Sequence, residues 1–143
     1  MARTDRSKKV ESVNAGKYRD TAIGFLKAAE DLATLAGEDE VYGGPIALLA
    51  VHTAISYADT VAIAYCGRKS TSGDHEQAVS QLTSVLGAAF PKSERSRLLR
   101  LAKLKDSVAY QGNRFHLEDA LLHLDAAVKF SKWAEQMYQR RPT

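Results

Sequence analysis

Six residues separate Arg68 from His75 in the polar stretch GRKSTSGDH, which covers residues 67–75. A histidine can transfer a proton near neutral pH, and an arginine can stabilise negative charge that develops on a phosphorus centre. The pair is therefore a candidate catalytic centre for phosphate chemistry. The same stretch also has the pattern of a helix start, since Asp74 and Gln77 have the spacing of a capping box. Both interpretations stay open on the sequence alone.

A third interpretation of this stretch is an anion site at the start of the following helix. Backbone N–H groups at a helix N-terminus favour phosphate, and Arg68 and Lys69 would reinforce them. Further cations are concentrated in the fourth predicted helix, where six lysines and arginines fall within residues 92–105. At about 100° per residue they spread around the helix, so a solvated face and a phosphate-facing surface both fit. The candidate nucleic-acid-binding residues of that helix are Arg100, Lys103, Lys105 and Tyr110.

Polar residues also follow one face of the otherwise apolar second helix. His52, Ser56 and Asp59 recur at intervals of four and three residues, which places them on the same side of a helix. Buried polar groups cost free energy unless they find hydrogen-bond partners. This face therefore predicts either internal hydrogen bonds to neighbouring helices or a cleft between two protomers.

Metal and thiol chemistry have little support. His116, Asp119 and His123 share a face of the fifth predicted helix, but the chain has no HExxH pattern and no cysteine cluster. The sequence therefore predicts no metal and no other cofactor. The lone cysteine, Cys66, closes a hydrophobic helix, which favours buried packing over a nucleophilic role.

The chain of 143 residues is long enough for one domain with one hydrophobic core. Its 45% hydrophobic and 26% charged residues are typical of a soluble globular protein, and a net charge of +3 does not by itself identify a nucleic-acid binder. The opening MARTDRSKKVES lacks the apolar block of a secretory signal, and a single cysteine fits a reducing compartment, so a cytoplasmic location is predicted. Residues 44–66 are the most hydrophobic stretch, but polar side chains interrupt it and favour a buried helix over a membrane span.

Apolar residues recur every three or four positions along almost the whole chain, and alternating strand patterns are hard to find. This periodicity predicts an all-α fold, an antiparallel bundle of about five helices within residues 14–138. Residues 1–13 are predicted to be a basic, flexible segment, and residues 139–143 a flexible tail. The second helix should lie at the centre and end at a left-handed Gly67. The predicted helices are Ala15–Leu35, Pro45–Tyr65, His75–Leu86, Pro91–Gly112 and Leu117–Tyr138.

Several strings in this order of helices carry a family resemblance. They are AGKYRDTAIGFLKAAEDLA in the first helix, AISYADTVAIAYCGRKSTSGDHEQAVSQL across the second and third, and LAKLKDSVAY followed by EDALLHLDAAVKF. Over residues 14–138 the chain resembles the HEPN superfamily, small helical bundles found in prokaryotic toxins, defence proteins and partners of nucleotidyltransferases. It looks most similar to small actinobacterial-type members of undefined activity, in which a comparable segment follows the second helix.

Many HEPN proteins are metal-independent ribonucleases that act as homodimers, in which the RNA 2′-hydroxyl attacks the adjacent phosphate. Their signature is an arginine, four to six residues, and a histidine on the penultimate core helix. Here the corresponding place holds Lys105 and Tyr110. A lysine lacks the planar fork of arginine, and a tyrosine, with an ordinary pKa of about 10, is a poor proton acceptor. Arg68 and His75 match the spacing at a different place, between the second and third helices.

The resemblance implies two alternative functions. The first is an RNA- or nucleotide-associated HEPN-like domain, extending to a metal-independent ribonuclease or toxin of a defence or toxin–antitoxin system. The second is a non-catalytic homodimeric interaction module that partners a nucleotidyltransferase or another defence component. The expected partners are a second copy of the chain, RNA or a nucleotide, and a cognate antitoxin or nucleotidyltransferase, with no membrane.

Overall fold

The fold is organised around one apolar helix, α2 (Gly43–Cys66), which contacts each of the other four α-helices. The computed structural model describes residues 7–71, 75–109 and 115–142, and for residues 106–109 it describes the backbone alone. Within these residues the predicted all-α bundle of five helices is confirmed. The remaining helices are α1 (Ala15–Ala36), α3 (Glu76–Leu86), α4 (Lys92–Ala109) and α5 (Leu117–Gln139).

Single 3₁₀ turns precede α1 and α2 and link α3 to α4, at Ser12–Asn14, Glu40–Tyr42 and Gly87–Ala89. The helix ends lie within one or two residues of the predicted positions wherever both fall in the described part of the chain. The predicted N-cap Asp74 and the predicted helix end at Gly112 lie outside the described residues.

The central position of α2 follows from its composition. Its apolar side chains cover most of the circumference, so burial requires neighbours on every side. Among the described helices, α2 with its preceding turn is the one long and apolar enough to cross a bilayer, but 72% of its most apolar window is buried inside the bundle. The prediction of a buried central helix is therefore confirmed. The predicted left-handed end is also confirmed, since Gly67 has φ 67° and donates its N–H to the Ile63 carbonyl at 2.8 Å.

Helix α1 packs on α2 through a seam of small side chains. Its buried residues are all alanines at intervals of seven positions, which keeps them on one side of the helix. Because alanine occupies little space, the two helix axes can approach closely. The seam consists of Ala15, Ala22, Ala29 and Ala36.

Two short strands were not predicted from the sequence. β1 (Ser7–Lys9) pairs antiparallel with β2 (Arg68–Ser70), with Lys8 opposite Lys69. Each strand has three residues, too few to produce a recognisable alternation of apolar and polar positions. β1 lies in the segment 1–13 that the sequence predicts to be flexible. The Val10 N–H adds a further hydrogen bond beyond this strand pair, 2.7 Å to the Gly67 carbonyl.

The prediction of a buried Cys66 is wrong, because the thiol is exposed. Cys66 is the last residue of α2, where the helix has already left the core. Its Sγ atom lies 3.9 Å from the Arg68 carbonyl and 4.0 Å from the Gln81 side-chain nitrogen.

The first turn of α2 packs tightly against the start of α5. A Cβ atom added to Gly43 would overlap the carbonyl oxygen of Phe115. Glu40 joins the same contact, because its carboxylate accepts a hydrogen bond of 3.2 Å from the Leu117 N–H and lies 3.4 Å from His116 Nδ1. This carboxylate satisfies a donor that the start of a helix otherwise leaves unpaired.

Replacing Gly43 with alanine should lower the free energy of unfolding by about 1–3 kcal/mol, because the methyl group would force the backbones of α2 and α5 apart. Urea unfolding followed by far-UV circular dichroism measures the change. Gly44→Ala is the matched control, since nothing lies within 4 Å of its added Cβ. Alanine has the higher helix propensity, so this control should keep or raise stability. Equal stability of the two variants would contradict the close contact.

Candidate functional site

A pocket of about 210 Å³ lies between α2, β2 and the first turns of α3. Ile55 and Ala78 supply apolar walls, and Thr71 is exposed at its edge. The pocket brings together two groups of residues that the sequence identified separately, the polar face of α2 and the stretch between the second and third helices. Its polar lining consists of Asp59, Lys69, Ser70, Thr71 and His75.

Asp59 is the most unusual group of this pocket. It is only 9% exposed, and burial raises the pKa of its carboxyl to about 6, although the nearby Lys69 ammonium opposes that rise. The Lys69 Nζ atom lies 3.7 Å from Oδ2, which is beyond ordinary hydrogen-bond distance. Among the described residues, Lys69 is the one ion-pair partner of this carboxyl. Burial therefore disfavours the charged form of this carboxyl more than the Lys69 ammonium stabilises it.

A half-buried carboxylate shows that the same bundle can satisfy an acid fully. Glu135 on α5 accepts hydrogen bonds from Arg19 Nε at 2.8 Å, from the Tyr57 hydroxyl at 3.2 Å and from the Gln139 amide at 2.6 Å. The hydrogen bond from Arg19 holds the pKa of Glu135 below its usual value, while burial and the Glu135 charge raise the pKa of Tyr57 to about 12. This network ties α1, α2 and α5 together, whereas Asp59 has one distant ion partner.

The alternation of side chains along β2 decides which cation reaches the pocket. Successive residues of a strand point to opposite faces. Lys69 extends toward α2, where its ammonium lies near Asp59 and 5.4 Å from the centre of the Tyr18 ring. Arg68 extends toward β1, donating from Nε to the Ser7 hydroxyl at 2.7 Å and from Nη2 to the Ser7 carbonyl at 2.9 Å. Arg68 is not among the described residues that line the pocket.

Aromatic contacts connect His75 to the polar face of α2. The rings of His52 and His75 meet edge to face with centroids 6.3 Å apart, and His52 also stacks on Phe25 at 5.3 Å. Burial lowers the pKa of His52, and the positive charge of Lys105 lowers it further. Lys105 on α4 therefore adds positive potential beside this cluster. Ser56, the third residue of the predicted polar face, is half-buried between His52 and the pocket-lining Asp59 along α2.

The other predicted basic residues lie elsewhere. The charge of Arg100 acts on α5, where burial and then Arg100 lower the pKa of His123. Lys103 is exposed, and Tyr110 lies outside the described residues. The histidines of α5 have separate neighbours, His116 beside Glu40 and His123 beside the Phe115 ring at 5.8 Å. Within the described part of the chain, no group of three or more histidine, cysteine or acidic side chains could hold a metal ion.

Comparison of the chain with protein-family models, with curated proteins and with solved structures gives no match. The chemistry of the pocket must therefore be argued from its own residues. Asp59, with a pKa of about 6, can exchange protons near neutral pH, His75 lines the same pocket, and Lys69 favours an anionic or electron-rich ligand there. Strongly shifted carboxyl groups of this kind are concentrated at functional sites.

Asp59→Asn should make the protein more stable above about pH 6, because it removes a buried charge. The carboxyl has a pKa of about 6 in the folded state and 3.8 ordinarily, so the folded state binds the proton more tightly and loses stability as pH rises between those values. The shift corresponds to roughly 3 kcal/mol. Urea unfolding across this pH range should show the advantage of the variant growing from under about 1 kcal/mol near pH 4 to about 3 kcal/mol near pH 8.

The control for this series is Asp125→Asn. Asp125 is exposed and pairs with Lys129 at 3.0 Å across one turn of α5. Exposed ion pairs contribute little to the free energy of unfolding. The stability of the Asp125→Asn variant should therefore stay within about 0.5 kcal/mol of the unmodified protein at each pH. An Asp59 variant that is less stable than the unmodified protein near pH 8 would show that the carboxylate is satisfied and not strained.

Proposed function

We propose that the protein is a cytoplasmic, homodimeric HEPN-like domain that binds RNA or a nucleotide, with the α2–β2–α3 pocket accepting one unpaired nucleotide. The observation that carries the proposal is the buried Asp59 carboxyl, which lines a pocket and has its ion partner, the Lys69 ammonium, 3.7 Å away. Burial disfavours the charged form of this carboxyl in the free protein, and a ligand that donates hydrogen bonds to it would stabilise that form. A group of this kind is expected where binding and not folding stability has shaped the site.

The charges around the pocket support a ligand that carries phosphate. Lys69 lines the pocket, and the charge of Lys105 reaches the neighbouring His52. Cations at the edge of a pocket attract the phosphate backbone and hold it without reading sequence. The volume of about 210 Å³ is below the range typical of drug-sized ligands, so the pocket fits one base and leaves the sugar and phosphate at its edge.

Metal-independent RNA cleavage is the catalytic form of this proposal. It requires one group that accepts the proton of the 2′-hydroxyl as that oxygen attacks phosphorus, and one that protonates the departing 5′-oxygen. In this form His75, which lines the pocket, is the proton acceptor, Asp59 holds the base, and the departing 5′-oxygen takes its proton from water. Because Arg68 contacts Ser7, Lys69 takes the place of the charge-stabilising residue in this version of the site.

Single-stranded RNA should bind the unmodified protein, and Lys69→Met should weaken binding about tenfold or more, since it removes a pocket cation. Fluorescence anisotropy at two salt concentrations measures the affinity and its electrostatic component. Lys132→Met is the control, because it removes one exposed charge from α5, which does not line the pocket. Equal losses in the two variants would indicate general attraction to RNA and contradict a pocket.

The same samples test cleavage with total RNA, with and without a chelator. Cleavage that persists with chelator and disappears in His75→Ala, while helicity and dimerisation stay intact, would establish the ribonuclease form. Retained cleavage in that variant would exclude His75 as the proton acceptor. If the RNA stays intact in every sample, the ribonuclease form is excluded and only the binding form of the proposal stands.

A second candidate function is a non-catalytic interaction module that partners a nucleotidyltransferase or another defence component. It is favoured by apolar side chains that remain exposed on the turn before α2 and on α5. These two elements contact each other. Val41 and Leu122 are each 64% exposed, and Leu121 is 39% exposed. This candidate predicts no RNA binding beyond weak, salt-sensitive attraction. The anisotropy titrations therefore distinguish the two candidates.

A further inference from the structure

The pocket presents a carboxyl whose ion partner, the Lys69 ammonium, lies 3.7 Å away, and this defines the ligand more narrowly than a nucleotide. Asp59 is buried and lines the pocket. An ionised carboxylate only accepts hydrogen bonds, and its two oxygens can receive a parallel pair of donors. The complementary ligand therefore carries two adjacent N–H groups.

The charge balance selects an uncharged donor over a cation. The Lys69 ammonium lies 3.7 Å from Asp59 and already offsets its negative charge. A second cation in the pocket would be repelled by Lys69. A guanidinium group, although it also offers parallel donors, is therefore disfavoured. A neutral ring with two N–H donors fits both the hydrogen-bonding pattern and the charge.

Apolar side chains form part of the pocket wall, against which a ring can pack. Ile55 and Ala78 line it from α2 and α3, and the volume of about 210 Å³ admits one ring system. Among the four RNA bases, guanine alone presents two neighbouring donors on its pairing edge, N1–H and the N2 amino group. Adenine and cytosine place an acceptor beside their amino group, and uracil flanks its one N–H with carbonyl oxygens. Those acceptors would face the carboxylate and repel it.

We propose that the pocket selects an unpaired guanine, with Asp59 receiving the hydrogen bonds of N1–H and the N2 amino group. Ser70 and Thr71 line the same pocket, and a serine or threonine hydroxyl is able to donate to the O6 carbonyl. This inference rests on the proposed nucleotide-binding function and adds base specificity to it. Unpaired RNA is the natural source, since protein modules read the pairing edges of bases only when these are splayed from a helix.

The test is a calorimetric titration of the full chain with GMP, AMP, CMP, UMP and IMP, which differs from GMP by lacking the N2 amino group. GMP should bind about 10- to 100-fold more tightly than AMP, CMP and UMP, with IMP between them, because a matched pair of hydrogen bonds contributes that much discrimination. Asp59→Asn should lose the preference, because its amide places a donor against the guanine donors. Asp125→Asn should keep it.

The outcomes separate this inference from the proposed function. Nucleotides that bind without preference, or a guanine preference that survives in Asp59→Asn, would overturn base selection and leave nucleotide binding in place. A protein that binds no nucleotide would overturn both. Tight binding of methylguanidine without any nucleotide binding would also overturn both, and would assign the pocket to an arginine side chain of a protein partner. Because Asp59→Asn is expected to be the more stable protein, a lost preference in it cannot be attributed to unfolding.

Discussion

The burial of one carboxyl group on the most apolar helix is the constraint on which the rest of this structure depends. α2 contacts all four other helices, so a charged residue on it cannot reach bulk water without a gap in the bundle. The gap at Asp59 is the pocket, and Lys69 is the charge that compensates it. Lys69 reaches it from β2, whose pairing with β1 turns Arg68 to the opposite side. The N-terminal strand thus helps to position a residue of the site.

Two acids of the bundle, the half-buried Glu135 and the buried Asp59, show how differently one fold can treat a carboxylate. Glu135 has three donors and a lowered pKa, and it contributes to stability by joining three helices. Asp59 has one ion partner at 3.7 Å and a raised pKa. The carboxyl of Asp59 lines a pocket and has its ion partner at 3.7 Å, which is why we propose that a ligand completes it. A buried ion pair such as Lys69–Asp59 is by itself weak evidence that the contact stabilises the fold.

Much of the fold could be predicted from the sequence because helical periodicity is a local signal. The five helices, the central place of α2 and the left-handed Gly67 all follow from spacing and residue type. The pairing of β1 with β2 could not be predicted, because the partners are about 60 residues apart in sequence and too short to show alternation. The exposure of Cys66 was missed for a related reason, since the last turn of an apolar helix can extend past the core.

The candidate site was predicted in parts but not as a whole. Spacing identified the polar face of α2 and the stretch around His75, yet it could not show that the two meet at one pocket. It also could not choose between Arg68 and Lys69, because that choice depends on which face of an unpredicted strand each side chain occupies. No sequence pattern identified Ser70 and Thr71 as site residues, and it is their place in the pocket lining that does so. Distances between elements, and not residue types, carried the missing information.

The most direct test of this account is an NMR titration of the Asp59 side-chain carboxyl in the unliganded protein, assigned with the Asp59→Asn variant. A carboxyl that is buried and has its ion partner at 3.7 Å should titrate with a pKa of about 6. A pKa at or below the ordinary value of 3.8 would show a carboxylate that the protein already satisfies. In that case the pocket would have no unmet acceptor to offer a base.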